Sequence, residues 1–187
     1  MKYDFEFICE LMDSFTCQAH IQNTFNVIEQ EKITGWENWL QVEFATFLSR
    51  YDSVGTWERE QSYYIDGRKR IDKNKAIVDF NVRKKCTKLN RMIALEFKQN
   101  TSSKTCITNM ISDVQKIEDI RASSSTCMRS YWVIGIHPRN MNKHHTEDKK
   151  DIKRRILQKS KCTSFGLIEE CILTKYIPNT GLAYTIF

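Results

Sequence analysis

The sequence predicts a single α/β domain, in which helices and strands share one hydrophobic core. The chain has 187 residues, of which 41% are hydrophobic, and this length and composition suit one packed domain. It contains only six Gly and two Pro, too few for the frequent tight turns of an all-β sandwich or barrel. The spacing of apolar residues changes along the chain from a helical to an alternating period and back, which predicts both kinds of element.

The first fifty residues have helical periodicity. Apolar residues recur at intervals of three and four through residues 4–30, which predicts one long amphipathic helix or two shorter ones. Thr34-Gly35 breaks this pattern, and a further helix is predicted over residues 36–50. Glu43 lies within the apolar arc of that helix, where a carboxylate needs a cation, a metal or hydrogen-bond donors. A glutamate at the helix surface, facing a neighbouring Lys or Arg, is an equal alternative.

From Trp57 the apolar residues alternate, which predicts β-strands. Three strands are predicted over residues 60–65, 76–82 and 92–98, joined by a turn at Asp66-Gly67 and a basic loop, so that they form a meander. The remaining predicted elements are a helix over 109–122, a strand buried on both faces over 131–136, a basic helix over 147–159, and extended stretches near 166–177 and 182–187. On the 109–122 helix, Asp113 and Lys116 are expected to form a solvated pair and only secondarily to contact a substrate.

Charge and cysteine content indicate the kind of protein. The formal net charge is +6, and basic residues are grouped near positions 68–70, 83–85 and 149–155. Such groups can neutralise nucleic-acid phosphates, although a solvated basic face is the equal alternative. The seven cysteines are odd in number and include no C-x-x-C pair, which indicates reduced thiols in a cytoplasmic protein. No stretch has the ~18 uncharged apolar residues of a spanning helix, so no membrane association is expected.

Three polar residues interrupt the two most apolar strands. Asp79 lies in the middle of residues 77–82, where packing alone would favour an aliphatic residue. Glu96 and Lys98 are two positions apart in the next strand, so they project from the same face, and Asp79 can meet Glu96 if the strands are adjacent. Two carboxylates supply the oxygen ligands that Mg²⁺ prefers, and an ammonium beside the metal can orient water or offset negative charge. The pattern predicts a site for phosphodiester hydrolysis, against the alternative of an exposed ion pair.

These motifs resemble those of the PD-(D/E)XK superfamily, the restriction-endonuclease-like nucleases. Ile77-Val78-Asp79-Phe80 is similar to the first acidic strand, although Val78 stands where the family often has proline, and Ile93-Ala94-Leu95-Glu96-Phe97-Lys98 is similar to the E-x-K strand. The segment from Trp36 to Glu43 resembles the helix that carries an additional glutamate to the site. The resemblance implies a central mixed β-sheet flanked by helices. It gives a restriction-endonuclease-like core over 36–137, with an N-terminal helical extension over 1–35 and a C-terminal helix and strands over 138–187.

The resemblance also implies a role for each motif residue. The catalytic residues would be Asp79, Glu96 and Lys98, and the ligands of Mg²⁺ or Mn²⁺ would be Glu43, Asp79, Glu96 and the carbonyl of Phe97. Asp72 is a rival for the first metal aspartate, but it lies in a polar run that reads as a turn. The candidate nucleic-acid contacts are Arg68, Lys69, Arg70 and Lys116.

The sequence therefore predicts a Mg²⁺-dependent endonuclease that acts on DNA. RNA remains open as the substrate, because the chemistry at phosphorus is the same. Two further hypotheses are a non-catalytic nucleic-acid-binding subunit of a larger complex and a structural protein whose N-terminal helices form a homodimer. Trp57 and Tyr63-Tyr64 could stack on bases, but aromatic residues at strand positions more often fill the core.

Overall fold

The structure is a computed structural model, which describes residues 1–64, 75–89, 91–123, 128–142, 144–160 and 168–187. The turn predicted at Asp66-Gly67 lies outside the described residues. Within those ranges the elements are, in chain order, α1 (Lys2–Thr16), α2 (Ala19–Gln30), α3 (Glu37–Leu48), β1 (Val54–Tyr64), β2 (Lys75–Lys84), β3 (Met92–Gln99), α4 (Ser103–Ser123), β4 (Met128–Pro138), α5 (His145–Ser160), a short 3₁₀ helix (Glu169–Cys171), β5 (Leu173–Tyr176) and β6 (Leu182–Ile186).

The strands form one mixed, open, six-stranded sheet in the order β1-β2-β3-β4-β6-β5. The first three strands pair antiparallel, so the predicted meander is confirmed. β3 and β4 pair parallel, because the chain crosses over between them through α4. β6 then pairs antiparallel with both β4 and β5. The chain is therefore an α/β protein, as predicted, with helices flanking a mixed sheet.

Helices cover both faces of this sheet. On one face α1, α2 and α3 pack against Leu95 and Phe97 of β3 and against Trp132 of β4. On the other face α4 and α5 pack against Val133, with Met110 of α4 in the same apolar cluster. Alternate residues of β4 thus enter different clusters, and the prediction of a strand buried on both faces is confirmed. Trp57 packs at the border of the core, which favours its core-filling role.

The segment 4–30 forms the two shorter helices of the prediction, since α1 ends at Thr16 and α2 begins at Ala19. The start of α4 differs from the predicted one. α4 begins at Ser103, six residues earlier than predicted. The Asn100 side chain accepts the Ser102 N–H at 2.9 Å, and the Ser102 hydroxyl accepts the Thr105 N–H at 3.4 Å. These polar residues, which resemble a loop in sequence, therefore cap the helix.

α4 approaches β4 closely at Gly135. A Cβ atom at this position would overlap the Met110 sulfur and would lie 2.9 Å from the Cys106 sulfur. Glycine permits this close packing of helix on strand. The contact sets the height of α4 above the sheet, and with it the position of Asp113, one helical turn beyond Met110.

The sequence also predicts reduced cysteines and no membrane-spanning helix. The cysteines that the structure describes are free thiols, namely Cys9, Cys17, Cys86, Cys106 and Cys171. Among the described helices, none combines the length and the hydropathy that crossing a bilayer requires.

Candidate functional site

The polar residues predicted on the two strands meet where β2 separates from β3. The paired residues of these strands run from Val82–Ile93 to Phe80–Leu95. The next position is therefore Asp79 on β2 and Glu96 on β3. There the Asp79 Oδ2 atom accepts the Phe97 N–H at 2.7 Å. A side-chain carboxylate thus replaces the backbone ladder as the link between the two strands.

Lys98 lies at the centre of a group of charged residues from both helical layers. Its Nζ atom lies 3.2 Å from Glu96 Oε1, 3.2 Å from Asp113 Oδ2 on α4, and 3.8 Å from Glu37 Oε1 on α3. The Lys98 side chain is 22% exposed and that of Glu96 only 5%. We refer to Glu37, Gln41, Asp79, Glu96, Lys98 and Asp113 as the Lys98 cluster.

The Lys98 cluster holds four carboxylates and one ammonium. Burial opposes the charge of Lys98, but the carboxylates outweigh it and hold the pKa of Lys98 above its ordinary value. Burial also raises the pKa of Glu37, an effect that Lys98 opposes and Glu96 reinforces. With every group ionised the cluster carries a formal charge of −3, and such an excess in a partly buried site favours uptake of a cation or of protons.

Asp79 is oriented from two sides. While its Oδ2 atom accepts the Phe97 N–H, its Oδ1 atom accepts a hydrogen bond from Gln41 Nε2 at 3.0 Å. Gln41 is buried on α3, and Phe97 is buried on β3. A donor on each oxygen fixes the plane of the Asp79 carboxylate.

Glu43, the glutamate predicted to join the site, is turned away from the Lys98 cluster. An α-helix turns about 100° per residue, so Glu37 and Gln41 share one face while Glu43 lies roughly 200° around from Gln41. Glu43 Oε2 instead lies 3.4 Å from His20 Nε2, in a separate groove. The predicted helix does lie beside the site, but the acid that faces Lys98 is Glu37. Glu37 and Gln41 are four residues apart, so they lie on the same face of a helix. This spacing was the sequence signal that could have identified them.

Asp113 belongs to the Lys98 cluster rather than to a solvated pair. Its carboxylate contacts Lys98, and its side chain is 17% exposed. The sequence interpretation of Asp113 as a surface residue was therefore wrong, because α4 docks with this position towards β3.

Lys116 also lies on α4, but the described residues do not include its side chain. Four other candidates lie outside the described residues, namely Arg68, Lys69, Arg70 and Asp72.

Tyr131 of β4 borders the same carboxylates and was missed in the sequence. Burial raises its pKa well above the ordinary value, and Glu96 and Asp113 raise it further. Its hydroxyl group is buried and has no hydrogen-bond partner among the residues that the structure describes. Tyr131 therefore stays a neutral phenol that can donate a hydrogen bond.

The donor chemistry of the Lys98 cluster suits a hard divalent cation, since Mg²⁺ binds carboxylate oxygens together with water and phosphate. Across the described ranges, however, no three His, Cys, Asp or Glu side chains are already grouped as a metal site. Glu96 and Asp113 both face the Lys98 ammonium. A divalent ion would compete with Lys98 for these oxygens.

Comparisons with known proteins give no match. No family model, no curated protein and no solved structure is similar to this chain at a significant level.

Proposed function

We propose that the chain is a metal-dependent nuclease with a restriction-endonuclease-like core, which hydrolyses phosphodiester bonds in DNA. One observation carries the proposal. Asp79, Glu96 and Lys98, selected from the sequence for their chemistry, converge where β2 separates from β3. Asp113 and Glu37 add carboxylates from both helical layers.

Each residue of the cluster has a distinct role in this proposal. Mg²⁺ or Mn²⁺, when bound, would stabilise charge on the phosphate oxygens and lower the pKa of a coordinated water. Asp79 and Glu96 would hold the ion, with Asp113 as a further carboxylate and the Phe97 carbonyl as a possible ligand. Gln41 keeps Asp79 in the required orientation.

Lys98 acts as a hydrogen-bond donor rather than as a proton acceptor. The carboxylates hold its pKa above the ordinary value, so it stays an ammonium at neutral pH. An ammonium can orient the attacking water and offset negative charge that grows on the phosphate.

The test is cleavage of matched DNA and RNA substrates by purified protein in Mg²⁺, in Mn²⁺ and in EDTA. We expect DNA cleavage that requires the divalent ion. Lys98→Met and Glu96→Gln are each expected to lower the rate by about 10²-fold or more, since each removes a group that acts on the transition state. The matched controls are Lys2→Met and Glu58→Gln, which change an exposed lysine and an exposed strand glutamate. Circular dichroism checks that all four variants are folded.

The possible outcomes separate the hypotheses. Cleavage of RNA alone would change the substrate but keep the chemistry. Undiminished cleavage by folded Lys98→Met would reject the role of Lys98. Nucleic-acid binding without cleavage, together with no Mn²⁺ binding, would favour a non-catalytic binding subunit, in which the ion pairs of Lys98 are purely structural.

A further inference from the structure

A pocket separate from the Lys98 cluster lies at the other end of β3. This pocket has a volume of about 260 Å³, and the residues that line it come from α1, from the end of β2 and the turn after it, and from the first residues of β3 and β4. Ile93 lines it, five residues before Lys98, so the two sites are about 17 Å apart along the strand at ~3.3 Å per residue. The polar lining residues are Tyr3, Asp4, Lys84, Thr87, Arg91 and Arg129.

A β-bulge directs Arg129 towards this pocket. The register of β3 and β4 shifts between the pairs Met92–Met128 and Ile93–Ser130, so Arg129 is the extra residue. Bulges re-aim side chains in this way. Arg129 Nε lies 2.9 Å from Asp4 Oδ2, which also accepts the Ser130 hydroxyl at 2.9 Å. Because Asp4 is only 5% exposed, a buried carboxylate holds the guanidinium in one orientation.

The described part of the turn after Lys84 is also held in place. Arg83 donates from Nη1 to the Thr87 carbonyl at 3.0 Å and from Nε to the Thr56 hydroxyl at 3.1 Å. Its guanidinium passes over Gly55, where a Cβ atom would come within 3.0 Å of Nη2. The register of β1 and β2 shifts at the same glycine. The backbone that follows Lys84 is therefore held at Thr87 by a neighbouring arginine.

The pocket carries an excess of positive charge. Lys84, Arg91 and Arg129 line it, and Asp4 is the one acid among its described lining residues. With Asp4 already bound to Arg129, the formal charge of the lining is +2. Lys84 and Arg91 are exposed, and the Lys84 ammonium lies 5.1 Å from the centre of the Phe7 ring. The volume is below the ~300–1,000 Å³ of pockets for drug-sized molecules, so the ligand is small or enters by one group.

We propose that this pocket binds a phosphoryl group, which Arg129 contacts from a fixed position and Lys84 and Arg91 contact from the rim. A phosphoryl group carries several acceptor oxygens and up to two negative charges, which match guanidinium and ammonium donors. The group could belong to a free phosphate compound or to a nucleic-acid chain, since the recognition chemistry is the same. This inference does not depend on cleavage at the Lys98 cluster.

The test is isothermal titration of the full chain with pyrophosphate in EDTA, so that no divalent ion and no cleavage is involved. We expect saturable binding that Lys84→Ala and Arg91→Ala each weaken by roughly tenfold, the effect of losing one charge-assisted contact. Lys85→Ala is the matched control, since Lys85 is exposed and adjacent to Lys84 but does not line the pocket. It removes the same charge and is expected to bind as the parent chain does. Lys98→Met is also expected to bind normally.

A second titration identifies the source of the phosphoryl group. Six-nucleotide DNA strands with and without a 5′-phosphate are compared under the same conditions. Tighter binding of the phosphorylated strand assigns the pocket to a terminal phosphate, while equal binding that depends on Arg91 assigns it to the backbone. Failure of pyrophosphate to bind overturns the proposal, as does equal weakening by Lys85→Ala, which would indicate general charge attraction.

Discussion

Replacing Lys98 with methionine removes the ammonium from the Lys98 cluster and leaves its four carboxylates without a cation. Removing one partner of a fully buried ion pair destabilises a protein by ~3–5 kcal/mol. The side chain of Lys98 is 22% exposed and that of Glu37 is 36% exposed, so solvent screens part of the repulsion. Methionine also keeps most of the aliphatic packing. We therefore expect a loss of about 2 kcal/mol in the free energy of unfolding at pH 8.

The loss is expected to depend on pH. In the parent chain folding raises the pKa of Lys98, so its stabilising contribution is fully present below the unfolded-state pKa of ~10.4 and is lost as the pH rises through the folded-state value. In Lys98→Met the Glu37 carboxylate loses the cation that opposes the rise in its pKa. Glu37 then takes up a proton as the pH falls, and this relieves part of the repulsion within the cluster. The difference between the two chains should be smaller at pH 5 than at pH 8.

The assay is urea unfolding followed by tryptophan fluorescence at both pH values, with Lys2→Met as the control. A shift of the midpoint with an unchanged slope reports a change in stability alone. Added Mg²⁺ is expected to stabilise Lys98→Met more than the parent chain, because the ion replaces the missing positive charge. A variant as stable as the parent at pH 8, or a loss that grows towards pH 5, would refute the electrostatic account of the cluster.

Three further predictions concern neighbouring residues. Burial raises the pKa of Glu37, so ionisation of this residue opposes folding, and the parent chain loses stability as the pH rises through that pKa. Glu37→Gln should be at least as stable as the parent at pH 8, and a lower urea midpoint there would contradict this. Asp79→Asn places a side-chain amide where two hydrogen-bond donors converge, so the free energy of unfolding should fall by roughly 1–3 kcal/mol. The exposed-site control Asp52→Asn should not change the urea midpoint. Gly135→Ala should cost about 1–3 kcal/mol through overlap with Met110, and the double variant with Met110→Ala should recover part of the loss in the same assay.

The strand part of the Lys98 cluster could be predicted from the sequence because its signals are local. Alternation places Ile93, Leu95 and Phe97 on one face of β3, and these residues do enter the same apolar cluster. Glu96 and Lys98 then share the other face. The adjacency of β2 and β3 followed from the short connection between them. It was enough to bring Asp79 to the same point.

The helical part could not be predicted, because the side of a helix that docks is set by tertiary packing. The apolar stripe of α3 has Glu37 beside one edge and Glu43 near the other, and local periodicity does not tell which edge meets β3. Asp113 has the same difficulty, since it lies next to apolar positions and also forms a plausible surface pair with Lys116. Tyr131 carries no polar pattern around it that would distinguish it from a core residue.

The Phe97 N–H donates a hydrogen bond to the Asp79 side chain of β2. The exchange of this amide hydrogen with deuterium therefore depends on one carboxylate. Asp79→Asn weakens the acceptor, so this amide should lose protection at a fixed pH while amides inside the β2–β3 ladder remain protected. The edge where the two strands separate can therefore open locally before the sheet itself unfolds, and one backbone resonance would record it.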